Sequence, residues 1–381
     1  MPAGIKTAHP AESVLAGLVS VIIPAYNAET YIEEALASVL SQTYAHVEVL
    51  VVDDGSLDRT AEIVESVAEQ DRRVRLLRSS NQGVAAARNL GIEHSVGEYI
   101  APLDADDLWY PSKLEKQVSC FSMAGPEVGL VYAWSAYIDK EGRLTGGYIA
   151  HEVEGFAHLS IVYSNFVGNA SAPLIRRHCL ERVGGYNTQY REHEAQGGED
   201  HDLYVRIAEH YRFGVVREFL VGYRVIEGSL SCNTEAMALS YTLMLAEVRR
   251  RHPAVPNRIY RWARSNYYEY LGRKCNFCGD RRGALRWFVK AVSLDPALLA
   301  YRRLYLTEFN NLLKLAMRRA PGRMREGVGH SSAANACPQP VGDLSIADIE
   351  RRRLLRQGTW DALQERRHRY LSALELRGRA E

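Results

Sequence analysis

Long apolar runs are missing from this 381-residue chain. No stretch approaches the ~18 apolar residues that a membrane-spanning helix needs, so no crossing of a bilayer is expected. The first seventeen residues include Lys6, His9, Pro10 and Glu12 and lack the apolar core of a secretory signal. Cysteine is scarce, with six residues in no short framework, which reads as reduced thiols of an intracellular protein. A surplus of one charge is missing too. Lys and Arg number 47 against 46 Asp and Glu, a formal net charge of +1, which removes the global electrostatic case for nucleic acid. These absences predict a cytoplasmic protein with no nucleic-acid partner.

What is present is a chain beyond the ~250–300 residues at which one hydrophobic core stops growing, so one large domain plus an appendage is expected. From Leu18 to Cys120 short β-rich runs alternate with helical patterns. That alternation indicates an α/β fold with a mostly parallel sheet. The strands are predicted at Leu18–Pro24, Val47–Val52, Val74–Leu77 and Tyr99–Leu103. Between them, Ile32, Leu36, Val39 and Leu40 share one helical face, as do Ile63, Val64 and Val67, and Gln82–His94 forms an Ala-rich helix. Ligands of such sheets sit beyond the carboxyl ends of the strands. Tyr26-Asn27, Asp53-Asp54 and Asp104/Asp106 all fall at that edge.

Asp104-Ala105-Asp106, followed by Asp107, closes the apolar run Glu98–Leu103. Carboxylates crowded at a strand end repel one another and are suited to a divalent cation on oxygen ligands, which would accept phosphate oxygens. The alternative is a solvated turn capping the helix near Pro111-Ser112-Lys113-Leu114. A second acidic turn, Val51-Val52-Asp53-Asp54-Gly55-Ser56, ends another apolar strand and favours the first reading.

The middle, Gly129 to about Glu227, is less regular, with strand-like segments at Leu130–Ile138 and Phe213–Ile226. A helix begins in Gly197-Gly198-Glu199-Asp200-His201-Asp202-Leu203, where first-turn acids also complement the backbone dipole. His46, His151 and His201 are not grouped as ligands, and His201 reads as a surface helical histidine, the alternative being contact with the acceptor beside Asp200. Cys275-Asn276-Phe277-Cys278 lacks the second Cys/His pair of a zinc site. From about Met237 the pattern is helical, and Asp280–Pro296 resembles the second helix of a tetratricopeptide repeat, here a helical hairpin packed on the main domain. Pro321–Asp343 reads as a flexible linker. Residues 311–381 carry 14 Arg or Lys against 8 Asp or Glu, and Ile346–Arg377 is amphipathic. This segment is a candidate for peripheral contact with anionic headgroups, the alternative being a solvated basic face.

Five segments carry a specific likeness: Val19–Glu29 with Pro24-Ala25-Tyr26-Asn27, Ser38–Thr43, Val52-Asp53-Asp54-Gly55-Ser56 with Asp58, Asn81-Gln82-Gly83 through Ala87-Arg88-Asn89 to Gly91, and Leu103–Asp107. In order and spacing the chain resembles family-2 glycosyltransferases, tightly over residues 18–120 and more loosely over 121–230. The resemblance implies a GT-A type, Rossmann-like fold and transfer of a sugar, with inversion, from a nucleotide-sugar. The nucleotide-sugar would be held by Pro24, Ala25, Tyr26, Glu29, Asp54, Gly83, Arg88, Asp104, Ala105 and Asp106. Among these, Tyr26 would stack on a uracil or other base, Asp54 would accept from it, and Gly83 would let the backbone approach. Asp104 would accept from the ribose or lie in the outer metal shell, and Asp106 would hold Mg²⁺ or Mn²⁺. Asp200 would be the base, with Glu199 orienting the acceptor. Gly168–Arg177 followed by Val183-Gly184-Gly185-Tyr186 resembles the family's acceptor-side segment, its glycines serving either the acceptor site or tight turns.

Two departures qualify that likeness. After Gly222-Tyr223-Arg224 many relatives have a histidine and a Ser-rich loop over the diphosphate. Here Ile226-Glu227 intervenes, leaving Arg224 or Ser231 as substitutes. The Gln-x-x-Arg-Trp motif of polymerising members is absent from the pairs Arg261-Trp262 and Arg286-Trp287, which points to single-residue transfer. The expected function is an inverting, non-processive transferase using a UDP-sugar and a saccharide or lipid-linked saccharide acceptor. The alternatives are a sugar-nucleotide nucleotidyltransferase, which would need a Gly-rich basic loop after the first strand, and a catalytically silent binding module. The expected division is an extension over 1–17, a nucleotide-sugar half over 18–120, an acceptor half over 121–236, a helical region over 237–320, the linker over 321–343 and a basic helix over 344–381. The helical third also offers a surface for self-association.

Overall fold

The computed structural model describes residues 14–226, 233–300, 344–355 and 359–380. The predicted linker and Ser231 lie outside them. The first half repeats one unit: β1 (Leu15–Ala25), α1 (Ile32–Leu40), β2 (Val47–Asp53), α2 (Thr60–Gln70), β3 (Val74–Arg78), α3 (Val84–Glu93) and β4 (Gly97–Pro102). Its strands pair in parallel, in the order β3-β2-β1-β4. β1 starts three residues before the predicted boundary of the N-terminal extension.

Alternation along each strand divides the core in two. Val19, Val21 and Ile23 face α1, packing on Ile32, Leu36 and Val39. Ile22, Leu50 and Ile100 face the opposite side, with Ala85 and Ile92 of α3. Burial on both faces is what an apolar run without alternation encodes.

The second half adds β5 (Leu108–Trp109), α4 (Lys113–Ala124), β6 (Val128–Ile138), β7 (Leu144–Ile149), α5 (His158–Tyr163), β8 (Pro173–Arg176), α6 (Arg177–Val183), α7 (Gln189–Glu192), α8 (Glu199–Ala208) and β9 (Arg212–Arg224). The sheet continues β4-β8-β6-β9-β5, with β7 on the side of β6. β8 joins antiparallel to β4 and β6, while β6 and β9 run parallel. β8 spans four residues and β5 two, too short for any hydrophobic period to reveal them.

The helical third comprises α9 (Thr234–Arg251), α10 (Asn257–Phe277), α11 (Arg281–Leu294), α12 (Ile346–Leu355) and α13 (Thr359–Ala380), with a 3₁₀ turn at Pro296–Ala300. α10 and α11 form the hairpin, in which Ala284, Trp287 and Ala291 pack on Tyr268, Leu271 and Cys275. Asp280 caps α11 by accepting from the Gly283 N–H at 2.9 Å. Cys278 is disulfide-bonded, so the expectation of reduced thiols throughout fails there.

α3 lies directly on the sheet because Gly91 leaves no side chain between them. A Cβ at that position would stand 2.5 Å from Ile22 Cγ2 and 3.2 Å from Val52 Cγ2. Gly91→Ala is expected to destabilise the protein by about 1–3 kcal/mol through overpacking, read as a lower urea midpoint with an unchanged slope.

Candidate active site

Three turns meet at the carboxyl edge of β1, β2 and β4. β1 ends at Ala25, and Tyr26 beyond it is 50% exposed. Asn27 takes a left-handed φ of 50°, held by accepting from Leu57 N–H at 2.9 Å and donating its own N–H to Ser56 Oγ at 2.9 Å. Asp54 is buried. Its carboxylate accepts from Ser79 Oγ and Gln82 N at 2.9 Å and from Gly83 N at 2.7 Å, which fixes the loop leading into α3. A carboxylate offers about four acceptor positions, so one remains. Gly83, at φ +92°, starts α3, and a Cβ there would meet Arg191 Nη1 at 3.1 Å.

The three aspartates after β4 have separate environments. Asp104 pairs with Arg88 of α3. Asp107 is fully inside, accepting from Ser171 Oγ at 2.6 Å and Arg224 N at 2.8 Å. Burial and its two acidic neighbours push its carboxyl well above the usual range. Only Asp106 has a carboxylate with no side-chain donor among the described residues. Burial first, then the charge of Asp104, pushes it up to about 6.

α8 presents the second acidic group. Glu199 is buried and accepts from Gly197 N at 2.9 Å. Asp200 accepts from the His201 N–H at 2.8 Å and is pushed up to about 6 by burial, against the opposing pull of Arg88. Asp202 is an internal strut. It takes bonds from Arg206 at 2.9 Å and Tyr190 Oη at 3.1 Å, and Arg206 in turn donates to the carbonyls of Val183, Gly184 and Gly185. The expectation of a surface His201 is corrected. Its ring is buried, its Nε2 lies 2.7 Å from the Ile161 carbonyl, and it stacks on Tyr241.

Arg88 joins the two acidic groups. It is buried, bonded to Asp104, close beneath the Tyr186 ring at 5.1 Å, and electrostatically coupled to Asp200. Asn89 anchors the same place by exchanging two 2.8 Å bonds with the Tyr186 backbone. Arg88 is expected at the nucleotide, and its guanidinium sits between the acidic groups of two elements.

One cleft of about 1880 Å³ is lined by Asp104, Asp106, Glu199 and Asp200 together. Pro24, Ala25, Tyr26, Asp54, Gly83, Arg88 and Ala105 line it as well. Glu29 does not: its carboxylate accepts from Arg59 N at 3.0 Å and holds the turn before α2. Arg224 lines the cleft, but its guanidinium is engaged with protein partners. Its side chain has no exposed surface and donates to Asp106 O, Asp139 O, Lys140 O and Glu34. Exposed Arg191, which lines the cleft beside Gly83 and donates to Asn81 Oδ1 at 3.0 Å, was not singled out from sequence, since α7 is too short to show a pattern. Asn169 was seen only as part of a segment. Its Oδ1 is buried without a hydrogen bond among the described residues. Tyr267 and Tyr270 of α10 and His368 of α13 close the far wall.

The raised carboxyl of Asp106 has a stability consequence. Its protonated form is favoured in the folded state, so this contribution is complete below the unfolded value of ~3.9 and is lost as pH rises through about 6. Asp106→Asn cannot ionise. Its thermal midpoint is expected to exceed that of the wild type above pH 6, in metal-free buffer, and to converge with it at low pH.

Residues 20–168 match the family model described as Glycosyl transferase family 2. Over 220 residues the chain is 34% identical to an uncharacterized glycosyltransferase of Rickettsia felis, covering 55% of this chain and 33% of that protein. Over 238 residues it is 31% identical to the putative teichuronic acid biosynthesis glycosyltransferase TuaG of Bacillus subtilis, covering 62% of this chain and 90% of TuaG. The matches span a third of the Rickettsia protein and 50% of a Haemophilus influenzae relative. The mannosyltransferase PcManGT of Pyrobaculum calidifontis, solved with GDP-Man and Mn²⁺, has the same fold, with a TM-score of 0.51 at 22% identity over 82% of this chain and 90% of that one. The chain belongs to glycosyltransferase family 2, and its fold is of the GT-A type with a C-terminal helical extension.

Proposed function

We propose that the protein is an inverting, metal-dependent, non-processive glycosyltransferase moving a sugar from a UDP-sugar to a hydroxyl of a saccharide or lipid-linked saccharide. The observation that carries this reading is that Asp106 and Asp200, from separate elements, line one cleft large enough for donor and acceptor. Asp106 fits a cation, because its carboxylate is the one of the three aspartates left without a side-chain donor among the described residues. Asp104, already paired with Arg88, supports it from the second position. A bound Mg²⁺ or Mn²⁺ would neutralise charge developing on a departing diphosphate.

The protein's own residues supply the rest. Tyr26, half exposed at the cleft edge, offers a stacking face for the base. The remaining acceptor position of Asp54 suits an imide N–H. Arg191 is the exposed guanidinium beside the Gly83 turn and is suited to the diphosphate, replacing the histidine missing after Arg224. Asp200 takes the proton of the attacking hydroxyl. A carboxylate raised to about 6 is a better base near neutrality than an ordinary one, and Arg88 keeps it ionised. Single transfer agrees with the position of the two Arg-Trp pairs, neither of which lines the cleft.

The donor class rests on the family resemblance. The GDP-Man of PcManGT and the teichuronic acid pathway named for TuaG belong to those proteins. No helix among the described residues is long and apolar enough to cross a membrane. Peripheral contact with anionic lipid would fall to exposed Arg351, Arg366 and Arg377, since Arg367 is buried against Asp295 and Arg353 lies over Trp134. Co-sedimentation of the full chain with anionic but not neutral vesicles checks this.

Incubation with a panel of nucleotide-sugars and Mn²⁺ should release nucleotide from one donor, and Asp106→Ala should abolish that release. Asp200→Asn should lower transfer by ~10²–10⁴-fold while donor binding persists. Because Asp200 must be ionised to accept a proton, kcat/KM should rise with pH and level off above about 6. Pyrophosphate-dependent nucleoside triphosphate formation, or no affinity for any nucleotide-sugar, overturns the reading.

A further inference from the structure

Away from the cleft, three helix ends converge. His158 opens α5, Glu209 follows α8 and His252 follows α9. His252 Nε2 lies 3.3 Å and His158 Nε2 3.9 Å from the same oxygen, Glu209 Oε1. The two imidazole rings stand 4.6 Å apart, and the three potential ligand atoms all fall within 4.8 Å of one another. None of the three residues lines the cleft.

Among the described residues, the His252 ring nitrogen that faces Glu209 is left without a hydrogen-bond partner. Arg251 donates twice to Glu209 Oε1, at 3.1 and 2.8 Å, which uses both lone pairs of that oxygen. His252 Nε2 is buried yet makes no hydrogen bond among the described residues. If that nitrogen carries a proton, its acceptor is already filled; if it does not, its lone pair faces a carboxylate. A cation within reach of all three ligand atoms satisfies the His252 nitrogen and the carboxylate at once. Arg251 would keep a partner, since Glu247 lies 3.1 Å from its Nη1.

We propose that His158, Glu209 and His252 form a second divalent-metal site, separate from the aspartates of the cleft, with the two-imidazole, one-carboxylate ligand set that favours Zn²⁺. Imidazole nitrogen suits zinc, whereas an all-oxygen set suits Mg²⁺ or Mn²⁺; water completes the coordination. Its role is structural. It ties α5 and α8 of the sheet domain to α9, beside the point where the Glu375 carboxylate of α13 accepts from the N–H groups of His158 and Leu159. The helices that close the far wall of the cleft are thereby clamped to the sheet.

The test uses tag-free, full-length protein stripped with EDTA and dialysed. Titration with Co²⁺ should produce visible d–d absorption saturating at one ion per chain, bleached by Zn²⁺. The signal should persist in Asp106→Asn, which removes the cleft aspartate, and vanish in His158→Gln and His252→Gln. Zn²⁺ should raise the thermal midpoint of the wild type and Asp106→Asn but not of His252→Gln. His252 is partly exposed, so this variant carries the test if His158→Gln fails to fold, with circular dichroism confirming its structure. Absence of the signal from the wild type, or its retention in folded His252→Gln, overturns the proposal.

Discussion

The arrangement of the cleft depends on one buried cation. Arg88 sits with its guanidinium on Asp104, under Tyr186 and within electrostatic reach of Asp200. Gathering carboxylates from a strand end and a helix start into one half-buried space is unfavourable by Coulomb repulsion and desolvation together. A guanidinium cannot relieve its own burial by deprotonation, so it supplies a permanent positive charge between them. Arg88 thus joins the parallel half of the sheet to α8 and sets how far Asp200 rises.

The three aspartates after β4 illustrate how burial divides chemically identical groups. Asp104, Asp106 and Asp107 lie within four consecutive positions, yet one is paired with Arg88, one faces the cleft and one is enclosed by Ser171 and the β9 backbone. Asp107 and Arg224 together tie the loop to β9, and Arg224 adds bonds to the turn after β6. The Arg224 side chain is engaged in holding the aspartates in place. A buried guanidinium must satisfy its donors locally, and here backbone carbonyls and Glu34 do so.

The parallel half was legible from sequence because its strands are apolar without interruption and each helix shows a clear face. The strand ends bearing Tyr26, Asp54 and Asp106 were found by the same logic. The second half was not legible to that degree. β5, β7, β8 and α5 are short, and what holds them are contacts between distant residues, such as Gln117 donating to the carbonyls of both Val131 and Ala172. Several motif residues also proved to be scaffold. Gln42 bonds the Tyr110 carbonyl and the Leu114 N–H, and Glu29 fastens the turn before α2.

The sequence by itself determined the α/β class, the family, the helical hairpin and the two acidic groups, because these are encoded in periods and motifs spanning a few residues. Tertiary structure alone decided that those acidic groups share a cleft, that Arg88 lies between them, that the Arg224 guanidinium is engaged by backbone carbonyls and Glu34, and that His158, Glu209 and His252 meet. Each of those facts turns on which distant side chains burial brings together, and charge, solvation and hydrogen-bond capacity take their values only after that packing is set.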